Sequence, residues 1–126
     1  MLRALAFASL LFAAAIGAGA PSAHAEAAYI DGVGAMQCSA ITAAMKTEKA
    51  KPLANQLVGW AYGYMTRRNM ERAAAGRRQV NLQMKDFSVK MLAIMLEVCE
   101  KGPDLYYYAT VDAFYDVLME EQGITS

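Results

Sequence analysis

Two cysteines, Cys38 and Cys99, are the only side chains in this sequence whose type and context point to a definite covalent chemistry. An even number of cysteines in a small domain that enters an oxidising compartment reads as a bridge, and the residues ahead of Cys38 read as an export signal. Two separate buried thiols are the alternative. A bridge would close a loop of about 60 residues, which chain-entropy reasoning makes worth on the order of 4 kcal/mol, comparable to the whole stability of a small domain. Asp, Glu, Tyr and Lys are present as candidate acids, bases or nucleophiles, but no spaced motif selects any of them. No catalytic residue is assigned, and the chain reads as a non-enzyme.

The chain opens Met1-Leu2-Arg3, runs through an Ala-, Leu- and Phe-rich stretch to about Ala20, and reaches Pro21-Ser22-Ala23-His24-Ala25 before Glu26. One early positive charge, an apolar centre and a small-x-small site are the parts of a cleavable signal peptide, so 1–25 is expected to be removed after Ala25. The apolar run falls short of the roughly 20 residues a spanning helix needs, and no stable membrane anchor is expected after cleavage. With no twin-arginine pair, and no cysteine just after the site, the expected route is the Sec pathway into the periplasm.

Cleavage leaves 26–126, one domain's worth of chain with a modest core that gains from a staple. It takes away Arg3 and His24, the single histidine, so 11 Lys and Arg face 12 Asp and Glu. That chain holds no histidine triad, no histidine metal site and no imidazole switch. No metal or cofactor is expected.

The elements that would position the cysteines are helical. Residues 26–37, with Gly32 and Gly34 and no clear periodicity, read as an N-terminal arm that Tyr29 and Ile30 could dock. From Cys38 a short helix is expected, capped near Ser39, with Ile41 and Met45 on one face. Pro52 suits the first turn of a second helix, where Leu53, Leu57, Trp60 or Ala61, Tyr64 and Met65 form a stripe that continues to about Met70. Gly59 and Gly63 on a neighbouring face would permit close approach of a helix or a large ring. Gly76 is the expected break. A third helix starts between Asn81 and Asp86 and runs to Lys101, stopped by Gly102-Pro103. Phe87, Met91, Ile94, Met95 and Val98, broadened by Val89, Leu92, Leu96 and Cys99, predict burial around much of its circumference. Asp104 is expected to cap the last helix, which keeps its step through Leu105, Tyr108, Val111, Phe114, Tyr115 and Leu118 until Gly123. No strand-period segment appears. The expected fold is all-α, a small bundle of about four helices over 38–122 stapled by one disulfide, with 123–126 as a tail.

Charge divides along the chain. Arg67, Arg68, Arg72, Arg77, Arg78, Lys85 and Lys90 outnumber Glu71 and Asp86 in the middle, whereas seven carboxylates face only Lys101 beyond residue 96. Because the chain after cleavage is nearly neutral, the basic run reads as a solvated face and no nucleic-acid partner is expected. Attraction between the two regions holds only while carboxylates are ionised. Their ordinary values lie near 4, so by about pH 2 the balance moves to roughly plus eleven.

A cysteine opening a short helix, a helix with Trp60-x-x-Gly63-Tyr64, and a third helix ending Glu97-Val98-Cys99-Glu100-Lys101-Gly102-Pro103 resemble the HdeA/HdeB family over about 36–118. The resemblance implies a compact helical fold bridged between Cys38 and Cys99. It also implies an ATP-independent periplasmic chaperone, often a homodimer near neutral pH, that loosens in acid and holds unfolding periplasmic proteins in solution. The client-binding residues are not assigned. Two departures stand out: Met65-Thr66-Arg67-Arg68 follows Gly63-Tyr64 where many members leave the helix, and this chain is longer than the best-known chaperones. Eight methionines and seven tyrosines in 26–126 would make adaptable contact surfaces. Two competing readings are a periplasmic immunity protein of the Rap/Tai type, which blocks a secreted cell-wall hydrolase but commonly carries more cysteines, and a structural envelope protein.

Overall fold

The computed structural model describes residues 30–126. The expected signal peptide, 1–25, and Tyr29 lie outside the described residues. Four α-helices follow a 3-10 turn at Gly32–Ala35: α1 (Cys38–Ala44), α2 (Ala50–Ala74), α3 (Phe87–Lys101) and α4 (Tyr107–Glu121). Among the described residues there is no strand, only one isolated antiparallel bridge between Gln37 and Tyr106. The all-α bundle expected from the pattern is what forms.

Each long helix buries residues at four-residue steps. In α2 these are Leu53, Leu57, Ala61 and Met65, in α3 Phe87, Met91, Met95 and Cys99, and in α4 Tyr107, Val111, Tyr115 and Met119. Such rows are the ridges by which helices interlock, and α3 packs against both α2 and α4 while α1 lies on α3. Cys38, at the first position of α1, is bonded to Cys99 near the end of α3, with their Cα atoms 4.7 Å apart and a sequence separation of 61. Both cysteines are fully enclosed by the core.

The helix ends explain several differences from the sequence pattern. α2 continues through Tyr64 to Ala74, in keeping with the stripe to about Met70 and the break at Gly76, and does not leave the helix at Met65 as many members of the resembled family do. It stops where Gly76, at φ 67°, reverses the chain and the Arg77 amide donates to the Arg72 carbonyl at 2.8 Å, a left-handed closure that glycine adopts without a side-chain clash. Gly123, at φ 61°, ends α4 the same way, with the Ile124 amide donating to Met119 O at 2.8 Å. That turn drives Ile124 into the core, so residues 123–126 are not a free tail. Neither Ser39 nor Asp104 caps a helix: Gln37 and Tyr106 hold the N-cap positions without side-chain cap bonds. Backbone pairing stands in for caps there. The Cys38 amide donates to Leu105 O at 2.7 Å, the Ser39 amide to Pro103 O at 2.9 Å and the Tyr107 amide to Met36 O at 2.9 Å.

That pairing also corrects the arm. Its described end, residues 32–37, belongs to the fold, because Gly34 is buried and a Cβ there would collide with the Trp60 indole. The close approach expected at Gly59 and Gly63 occurs at Gly34 instead; a Cβ at either helical glycine would meet open space. In α4 the buried row is Tyr107, Val111 and Tyr115 rather than one including Leu105 and Tyr108. Leu105 precedes the helix and its side chain lies against Gly102. Nor is α3 buried all round, since Val89 is 70% exposed, Ile94 44% and Val98 37%.

Candidate functional site

The extra turns of α2 beyond Tyr64 carry Arg68 onto α4, and this contact is the charged centre of the molecule. Arg68 Nη1 donates to Asp112 Oδ1 at 3.0 Å, to Asp116 Oδ1 at 2.9 Å and to the Asp112 carbonyl at 3.3 Å. Asp112 and Asp116 are four residues apart and therefore neighbours on one face of α4. The guanidinium also stands 4.2 Å from the centre of the Tyr115 ring, a cation–π geometry. Tyr64 completes the cluster by donating its hydroxyl to Asp112 Oδ1 at 2.7 Å. Burial, and then that bond to a carboxylate, push the Tyr64 phenol up to about 12. The charges remain partly wet, with Asp116 60% exposed at its side chain, so the pairs contribute modestly, about 1 kcal/mol together.

Beside this node the same seam carries contacts that contain no carboxylate. Arg72 donates through Nε to the Arg78 carbonyl at 2.7 Å and through Nη2 to the Thr125 carbonyl at 2.8 Å, holding the α2–α3 connection and the chain end together. Asn69 occupies the position that continues the buried row of α2. It uses its amide to accept from the Val80 N–H and to donate to the Val80 carbonyl, both at 2.9 Å. Gln122 does the same for Asn81, accepting at 2.8 Å and donating at 3.1 Å. Tyr115 donates to Asn69 Oδ1 at 2.7 Å, and burial raises its phenol above the ordinary range. These two amide side chains let an extended loop pair its backbone without a partner strand.

The end of the bundle that holds the disulfide is closed without carboxylates. The bridge, the backbone pairing of 36–39 with 103–107 and the Trp60 indole against Gly34 all lie there. Tyr107 donates to the Leu57 carbonyl at 3.0 Å, and burial raises its phenol far above the ordinary value. Trp60 stacks on Tyr64 and tilts against Tyr107, with ring centres 5.3 and 5.9 Å apart.

The structure thus brings together Cys38 and Cys99 as expected, and it places part of the basic middle against part of the acidic end within one molecule. Arg68 with Asp112 and Asp116 is the specific form of that attraction, and the sequence pattern did not single these residues out. Their signal was the spacing of Asp112 and Asp116 on one helical face, but which basic residue would face them depended on how α2 packs on α4. Among the described residues, no three His, Cys, Asp or Glu side chains cluster as a metal-binding set, and no helix is long and apolar enough to cross a membrane. Comparison with family models, curated protein sequences and solved structures yields no match to this chain.

Proposed function

We propose that this chain is an exported periplasmic protein that acts without ATP or catalysis as an acid-stress chaperone of the HdeA/HdeB kind. In this reading it is folded near neutrality, where a homodimer is its resting form, and holds unfolding periplasmic proteins when acid opens it. The observation that carries the reading is the unequal construction of the two ends of the bundle. At one end the α2–α4 seam is joined by carboxylates to Arg68, and at the other a buried disulfide joins α1 to α3.

Acid acts differently on the two. Protonating Asp112 and Asp116 leaves Arg68 without counter-charge beside Arg67, Arg72 and the Arg77-Arg78 pair, while the net charge climbs toward the roughly plus eleven reached when all carboxylates are neutral. Repulsion then falls on the stretch of α2 that covers Met65, Tyr115, Met119 and Ile124, all buried at present. The disulfide is indifferent to acid and keeps the opened chain compact and able to close again. Methionine and tyrosine on the uncovered surface suit clients of varied sequence.

The test is the aggregation of an unrelated acid-sensitive protein at pH 2 to 3 and at pH 7, with and without the purified oxidised protein. Suppression in acid alone supports the reading. Absence of suppression at low pH would sink it and redirect attention to a single partner at neutral pH, as an immunity protein requires.

A further inference from the structure

Between α3 and α4 the bundle leaves an apolar channel of about 270 Å3. Phe87, Met95 and Leu118, all buried, form its floor, and Ile94 and Val117, 44% and 48% exposed, stand at its edges. The one hydroxyl in the lining, that of Thr110, already donates to the Tyr107 carbonyl at 2.7 Å. The floor therefore offers a ligand little besides apolar contact.

Charge enters at one mouth only. Lys90 lies in the first turn of α3 and Glu121 is the last residue of α4. The lining pairs the start of α3 with the end of α4, so the two side chains flank the same mouth from opposite rims. Among the described residues neither takes part in an ion pair. From Lys90 to Val98 the channel runs about 12 Å at the helical rise per residue. Over that length a cavity of about 270 Å3 is too small to enclose a helix with side chains, which is about 10–12 Å across and would fill on the order of 900 Å3. A single methylene chain fits the space.

We infer that this channel binds a single-chain amphiphile with a zwitterionic head. The chain lies along Phe87, Met95 and Leu118, and a head of the phosphoethanolamine type sets its phosphate against Lys90 and its ammonium against Glu121. A purely anionic head would meet Glu121 as a like charge, and a purely cationic head would meet Lys90 in the same way. The inference stands independently of the acid-chaperone reading, because it concerns the closed, neutral form.

Titration of the oxidised protein at pH 7, carrying 13C-labelled methionine methyls, with lauroyl lysophosphatidylethanolamine below its micelle concentration provides the test. Met84 and Met95 line the channel, and Met70, 67% exposed on α2, serves as the internal control. Saturable shifts at Met84 and Met95 with Met70 unmoved are expected. Lys90→Gln and Glu121→Gln should each weaken binding by about two- to fivefold, and Ile94→Glu, at a half-exposed position, should abolish it with the helical signal intact. Free phosphoethanolamine should cause no shift, which separates a lipid from a soluble head group. The proposal is overturned if Met84 and Met95 do not saturate or if Met70 moves with them as in general detergent action. It is equally overturned if dodecyl phosphate or an uncharged dodecyl amphiphile binds as tightly as the lysolipid.

Discussion

Replacing both cysteines, Cys38→Ala with Cys99→Ala, removes the staple and leaves every helix its own sequence. The bridge spans 61 residues, and the chain-entropy relation assigns a loop of that size about 4 kcal/mol at 25 °C. Both side chains are at most 1% exposed, so the lost sulfur packing adds to that figure. A domain of this size holds roughly 5–15 kcal/mol in total, and the oxidised protein should therefore exceed the double variant by a large fraction of its stability. Thermal unfolding at pH 7 should show it as a fall of about 16–32 °C, taking roughly 4–8 °C per kcal/mol for a small domain. Denaturant titration supplies the free energy, and its slope should increase in the variant because the unbridged chain exposes more surface on unfolding. A fall below about 1 kcal/mol with an unchanged slope would refute the claim that the bridge constrains the unfolded chain.

Asp112→Asn with Asp116→Asn should cost about 1 kcal/mol at pH 7, the worth of two half-exposed pairs. Urea titration at that pH measures it, and a cost indistinguishable from zero would contradict the assignment of Arg68 as the joint between α2 and α4. Tyr64, Tyr107 and Tyr115 have phenols raised by burial, so the stability they lend is complete below the ordinary phenol value near 10 and is lost as pH rises toward the folded values. Phenolate absorbance should accordingly lag behind the expectation for seven tyrosines and catch up in one step with loss of helix; a full rise by pH 11 with helix intact would exclude it. Gly34→Val should displace the 3-10 turn from Trp60 at a cost of about 1–3 kcal/mol and alter Trp60 emission. By contrast, Gly63→Ala, facing open space, should stabilise α2 by about 0.5–1 kcal/mol; the opposite ordering of these two variants would overturn the assignment of the close approach.

The helices were legible because their buried rows recur at four-residue steps, as in Leu53, Leu57, Ala61 and Met65, and because Pro52, Gly76, Gly102 and Gly123 mark their limits. The bridge was legible from an even cysteine count behind a stretch that reads as an export signal. What periodicity could not supply was the outcome of competition between neighbouring faces. Val89 and Ile94 are as apolar as Met91 and Met95, yet no element of the described chain covers them, so α3 is left partly bare. The burial of Gly34 depended on Trp60, a contact between segments 26 residues apart in sequence that no local pattern encodes. Asn69 broke the apolar row of α2 for a reason visible only in three dimensions, since its amide meets the backbone of Val80. The Arg68 node stayed hidden for the same reason: an arginine among five in the middle of the chain gains a role only from the carboxylates that the fold places beside it.

Hydrogen exchange of the oxidised protein at pH 2.5, labelled over hours because intrinsic exchange is slow in acid and compared with pH 7, tests the proposed opening most directly. The account predicts that amides in α2 around Arg68 and Arg72, in the 77–83 loop and at the end of α4 lose protection, while those of α1 and of α3 around Cys99 keep theirs. Protection retained throughout, or lost first beside the disulfide, would contradict it.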